Sequence, residues 1–76
     1  MRRTATHEHT QTVVATLLDR RWRTWQVTVQ RVHDDTLHPW RVAAHCDGEQ
    51  VAELDCASRA MRDATAARMI AGIRTA

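Results

Sequence analysis

The apolar positions change period as the chain proceeds. Val13, Val14, Leu17, Leu18 and Trp22 fall at i, i+1, i+4, i+5 and i+9, the spacing of one helix face. Thr10 or Thr12 offers an N-cap before them. The spacing predicts a helix over 10–22, with Asp19, Arg20 and Arg21 on or beside its solvent side. The β-branched pair Val13-Val14 favours a strand instead, and the two readings stay open. From Trp25 the period drops to two. Trp25, Val27 and Val29 point one way and Gln26, Thr28 and Gln30 the other, a half-buried strand over 25–32. The segment from His33 to Pro39 breaks the alternation with turn chemistry.

A second strand is predicted over 40–46, with Trp40, Val42, Ala44 and Cys46 on one face, and a third over 50–56, with Ala52, Leu54 and Cys56 on one face. Asp47-Gly48 between them marks a hairpin. A three-residue loop pairs Trp40 with Cys56, Val42 with Leu54 and Ala44 with Ala52, which gathers the apolar side chains on one face. A strict two-residue loop scatters them, so the first register is expected. It places Trp40 and Leu54 in the core. It also sets Cys46 and Cys56 at opposite ends of the hairpin, too far apart for a disulfide at ~3.3 Å of rise per residue.

Ser58 is an N-cap for a last helix over 59–74. Ala60, Ala64, Ala67 and Ala71 form a small-residue seam on it, suited to close packing on a sheet. Ala66, Met69 and Ile73 lie roughly opposite, with Arg62 beside them. With the seam inward, that stripe faces a partner. The expected order is α-β-β-β-α: an α+β fold with a three-stranded antiparallel sheet and two helices packed on one face. Residues 1–9 read as a flexible tail and 10–76 as one domain.

A chain of 76 residues buries only about 60% of its unfolded surface, which leaves little room for a walled pocket and favours a non-enzymatic role. No apolar run approaches the ~20 residues that span a bilayer, and no signal peptide is apparent. A cytoplasmic location and no membrane are expected. All eleven basic residues are arginine, as the coding of a GC-rich genome produces, and the net charge is only +2. The two cysteines form no Cys-x-x-Cys pair and read as free thiols. His33-Asp34-Asp35-x-x-His38 and His7-x-His9 have ligand-type side chains, but they read as a solvated turn and a tail, so no metal and no cofactor is expected. Arg20, Arg21 and Arg23 interleave with Trp22 and Trp25, the composition of a surface that contacts phosphate and stacks bases. Framing of core tryptophans by solvated arginines has the same composition.

The order and length of the elements resemble the double-stranded-RNA-binding domain over about residues 10–74. Ser58-Arg59 followed by Ala64, Ala66 and Ala67 is similar to the start of that family's last helix, and His33 and His38 lie in the loop where the family carries a histidine. The resemblance implies duplex contact through Arg59 and His38. Ala60 and Asp63 stand where the family has two further basic residues.

Three functions are consistent with these readings. One is a non-enzymatic module that contacts a protein, itself or another, through Arg62, Ala66, Met69 and Ile73. The second is a nucleic-acid module using Arg20, Arg21, Arg23, His38, Arg59 and Arg62. The third is a small ribonuclease-like toxin using a loop histidine.

Overall fold

The computed structural model describes residues 11–32 and 37–75. Four strands, β1 (Gln11–Leu18), β2 (Thr24–Arg31), β3 (Trp40–Cys46) and β4 (Glu49–Cys56), are followed by one helix, α1 (Arg59–Thr75). The strands form a single antiparallel sheet in chain order, β1-β2-β3-β4. The helix lies across one face, giving two layers with extents of 39 × 31 × 16 Å. The expected three-stranded sheet with two helices is therefore corrected to four strands and one helix.

The correction has one source. The segment predicted as the first helix is β1, a bulged strand with apolar residues on both faces. Val13 pairs with Thr28 and Ala15 with Val27, which leaves Val14 as the extra residue. By this register Ala15 and Leu17 share the face of Val27 and Trp25, while Val13 and Leu18 stand opposite Thr28 and Thr24 on the other face and are about half exposed, so apolar residues from both faces fall at 13, 14, 17 and 18. That series also fits a helix face. The order that carried the resemblance to the double-stranded-RNA-binding domain changes with it, since a strand stands where that order has its first helix.

The other elements lie where the periodicity put them. Trp40 pairs with Cys56, Val42 with Leu54 and Ala44 with Ala52, the expected register. The connection is nevertheless a two-residue turn. Asp47 (φ 51°) and Gly48 (φ 88°) both have the positive φ of a type I′ turn, and Glu49 already pairs with Cys46. A second bulge, at Val51, restores the register that a three-residue loop would have set. Asp47 also anchors the turn to β2: its carboxylate accepts the Thr24 N–H at 3.0 Å and its own N–H donates to the Thr24 carbonyl at 2.7 Å. The Ser58 hydroxyl accepts the Met61 N–H at 3.1 Å and caps α1 as expected.

The core comprises Val27, Val42, Cys56, Ala66 and Ile73, with Ala15, Leu17, Trp25, Val29, Trp40, Met69 and Ile70 packed around it. The helix is thus turned opposite to the expectation. Met69, Ile70 and Ile73 face the sheet, while Ala60, Ala64, Ala67 and Ala71 are exposed. The sheet supplies mostly valine and alanine at its centre, so the large side chains that fill the layer must come from α1. Alanine against alanine would leave voids that interiors do not tolerate. Leu54 is corrected as well. It lies on the helix side by register, yet 55% of it is exposed. One helix about 10 Å across does not cover four strands spaced ~4.8 Å apart, and the second helix expected to cover the remainder is β1.

Cys46 and Cys56 are both free. Burial, reinforced by Asp47, pushes the Cys46 thiol up, away from the reactive thiolate. The Cys56 thiol lies 3.5 Å from the Thr65 hydroxyl.

Candidate interaction surfaces

Two arginine–tryptophan clusters occupy opposite ends of β2. Six residue steps separate Trp25 from Arg31, about 20 Å at ~3.3 Å per residue.

The first cluster is the β1–β2 turn, 19–23, and Asp19 builds it. The carboxylate is buried and accepts four hydrogen bonds. Oδ1 takes the N–H groups of Arg21 (2.8 Å) and Arg23 (3.0 Å), and Oδ2 takes Arg23 Nε (2.8 Å) and Trp25 Nε1 (2.9 Å). The Asp19 backbone adds two more bonds, its N–H to the Arg23 carbonyl and its carbonyl from the Trp22 N–H, both 3.1 Å. The Trp25 indole N–H, with the two backbone amides and the Arg23 guanidinium, holds the Asp19 carboxyl well below the usual carboxylate range, against the opposing effect of burial. The frame forces Trp22 into the left-handed region at φ 64° and leaves 80% of it exposed. A bulky residue adopts that conformation at a cost, so the surrounding bonds must impose it. Arg20 and Arg21, which precede Trp22, are exposed, and with Asp19 and Arg23 they line a concavity of about 440 Å³. Arg23 itself is committed, paired to Asp19 and lying 5.9 Å from the centre of the Trp25 ring.

The second cluster surrounds Trp40. Three guanidiniums lie over its ring: Arg62 at 4.5 Å from the centroid, Arg31 at 5.0 Å and Arg59 at 5.7 Å. The ring packs against the core from beneath, so the arginines form a charged roof on an apolar residue. Arg62 also bonds Asp63 at 2.9 Å. His38 lies near enough to Asp55 for its charge to help hold that carboxyl low, behind the larger effect of the Arg41 hydrogen bond.

The structure therefore divides the residues singled out from the sequence. Arg59 and Arg62 meet on Trp40, joined by Arg31, which the sequence reading passed over. Arg20, Arg21 and Arg23 form the separate turn at the far end. Ala66 and Ile73 are buried and Met69 is half-buried in the core, so the stripe expected to face a partner packs on the sheet instead. His33, Asp34 and Asp35, like His7 and His9, lie outside the described residues. Among the described residues there is no cluster of three or more metal-ligating side chains, and no helix is long and apolar enough to cross a membrane.

The sheet's two edges also differ. Both edge strands have eight residues. β4 carries Glu49, Glu53 and Asp55, the last two engaged by Arg41 at 3.6 and 2.9 Å. β1 carries no charge, no proline and no glycine, and Val13, Val14 and Leu18 are about half exposed on it. Beside it, a groove of about 450 Å³ runs between β1 and α1, lined by Thr12, Val14, Val29, Ala66, Ala67 and Ile70, with Arg62 and Asp63.

Comparison with protein-family models, with curated proteins and with solved structures finds no match to this chain.

Proposed function

We propose that this chain is a non-enzymatic interaction module whose contact is with protein, and first with a second copy of itself, joined along the edge of β1 that no described strand covers. The observation that carries the reading is the uncharged β1 edge. A strand at a sheet edge presents unpaired N–H and C=O groups, and proteins that stay single blunt such edges with charge or proline. β4 is blunted in this way by three acidic residues; β1 has neither charge nor proline and is interrupted by the bulge at Val14. Two copies of β1 can pair antiparallel about a two-fold axis with no like charges opposed. Two copies of β4 would bring carboxylates together.

Backbone pairing alone covers little surface, and a stable interface needs roughly 800 Å² per partner. The groove beside β1 supplies apolar walls for the remainder, and the exposed Val14 on its rim is the residue a partner strand meets first. The surface proposed here replaces the Met69 and Ile73 stripe, which is spent on the core. The mode is strand addition, in which main-chain bonds give affinity and side-chain pockets give register.

The test is the concentration dependence of mass. Sedimentation of the wild type is expected to show a dimer at micromolar concentration. Thr12→Lys with Val14→Lys is expected to give a monomer with an unchanged far-ultraviolet dichroism spectrum. A wild type that sediments as a monomer at millimolar concentration overturns the reading, and so does a double variant that remains dimeric.

A further inference from the structure

We infer that the Asp19-built turn is a contact site for single-stranded nucleic acid, with Trp22 stacking on a base and Arg20 and Arg21 holding the flanking phosphates. The inference does not rest on the β1 pairing, since it uses the turn and not the strand edge.

Three observations carry it. The first is placement. Trp22 is 80% exposed and stands at φ 64°, so its indole is not part of the core and its conformation is imposed by six hydrogen bonds to Asp19. With the main chain fixed, an indole has only two side-chain torsions to lose when it stacks on a ligand. The second is charge. Three arginines and one carboxylate leave the turn two positive charges in excess. Arg23 neutralises Asp19, and the carboxylate has no lone pair left facing the concavity that would repel an anion. The third is shape. Arg20 and Arg21, the two residues before Trp22 in the chain, line a concavity of about 440 Å³ with Asp19 and Arg23, room for a phosphate and its sugar.

An aromatic ring beside two free cationic forks matches the repeating unit of a nucleic-acid strand, a flat base followed by an anionic phosphate. An unpaired strand is required because the bases of a duplex already stack on each other. An acidic peptide would satisfy the arginines but has no flat group for the indole. An anionic membrane would favour several apolar residues in one plane, whereas the turn itself has one.

The probe is a short fluorescein-labelled oligothymidine strand, read by fluorescence anisotropy across a salt series on the full chain. Weak binding is expected, strengthening as salt falls, with a slope of log K against log salt of about −1.4 for two phosphate contacts at −0.7 each. Arg21→Gln is expected to halve that slope. Trp22→Ala is expected to weaken binding about 5- to 100-fold, as loss of one stacked base does, while Trp22→Phe keeps most of it. Thermal melts of all variants check that the fold survives. The inference is overturned if the strand does not bind at ~50 mM salt, where electrostatic contacts are least screened. It is also overturned if Trp22→Ala binds as the wild type does, if the matching duplex binds equally well, or if only vesicles containing phosphatidylserine bind.

Discussion

Trp22 and Trp40 have similar neighbours in composition and opposite situations in the fold. Each stands among arginines. Trp40 lies on the core face of β3, and Arg31, Arg59 and Arg62 cover its outer surface. Trp22 is turned away from the core by Asp19 and covered by nothing among the described residues. The arginines on Trp40 shield an apolar ring from water; beside Trp22, Arg23 is paired to Asp19 and Arg20 and Arg21 are exposed. Arginine next to tryptophan therefore says nothing about function until the ring's other face is known.

The comparison breaks first on stability. Trp40→Ala is expected to cost about 3 kcal/mol, the lower end for a large aromatic because the ring is only half-buried. Trp22→Ala is expected to change stability by about 0.5 kcal/mol or less, as an exposed substitution does. Denaturant midpoints with unchanged slopes measure both. Equal losses at the two positions would remove the distinction.

Acid sharpens the comparison at the Trp22 end. The Asp19 carboxyl is held far below its ordinary value of 3.8. A depressed carboxylate contributes stability that is complete above its unfolded value and is lost as pH falls toward the folded one. The contribution is thus intact at neutral pH and fades below about pH 4. Asp55, lowered by Arg41, acts in the same direction, so the informative quantity is the difference between wild type and Asp19→Asn. The wild type is expected to melt higher at pH 7, and the gap should narrow steadily from pH 4 to pH 2. A gap independent of pH would mean that Asp19 matters for shape and not for charge.

The smallest effect tests the strain. At φ 64° a side chain costs roughly 1 kcal/mol that glycine does not incur, partly offset by glycine's freedom in the unfolded chain. Trp22→Gly is expected to melt above Trp22→Ala by a few degrees, equivalent to about 0.5 kcal/mol. The reverse order would place the turn in a relaxed conformation.

Much of the fold was legible in the sequence. Strict alternation marked β2, β3 and β4, the need for a single apolar face fixed the register across Asp47-Gly48, and Ser58 announced the helix. β1 was not legible, because it is bulged at Val14 and apolar on both faces, Leu17 toward the helix and Val13 and Leu18 away from it, and the combined spacing matches a helix's. The inward face of α1 was misread for a different reason. An alanine seam packs closely, but the valines and alanines of this sheet leave a layer that only Met69, Ile70 and Ile73 can fill. Of the site, the residues of the Arg20–Arg23 turn could be named from composition. The alternation placed Trp25 on the inward face, as it is, but nothing in the pattern showed Trp22 turned outward or Trp25 bonded to Asp19 through its indole N–H.

The order β1-β2-β3-β4 has a kinetic consequence. Every strand pairs with its neighbour in the chain, so the sheet grows by hairpins and no pairing waits for a distant segment. Folding rates rise as the sequence separation of contacts falls, and this topology lies toward the fast end for a sheet. Among the described residues only β2 and β3 have partners on both sides, and Val27 and Val42, which have no exposure at all, sit on them. A nucleus built there leaves β1, β4 and α1 to add afterwards, and until β1 has docked, its uncharged strand is open to pairing with another chain.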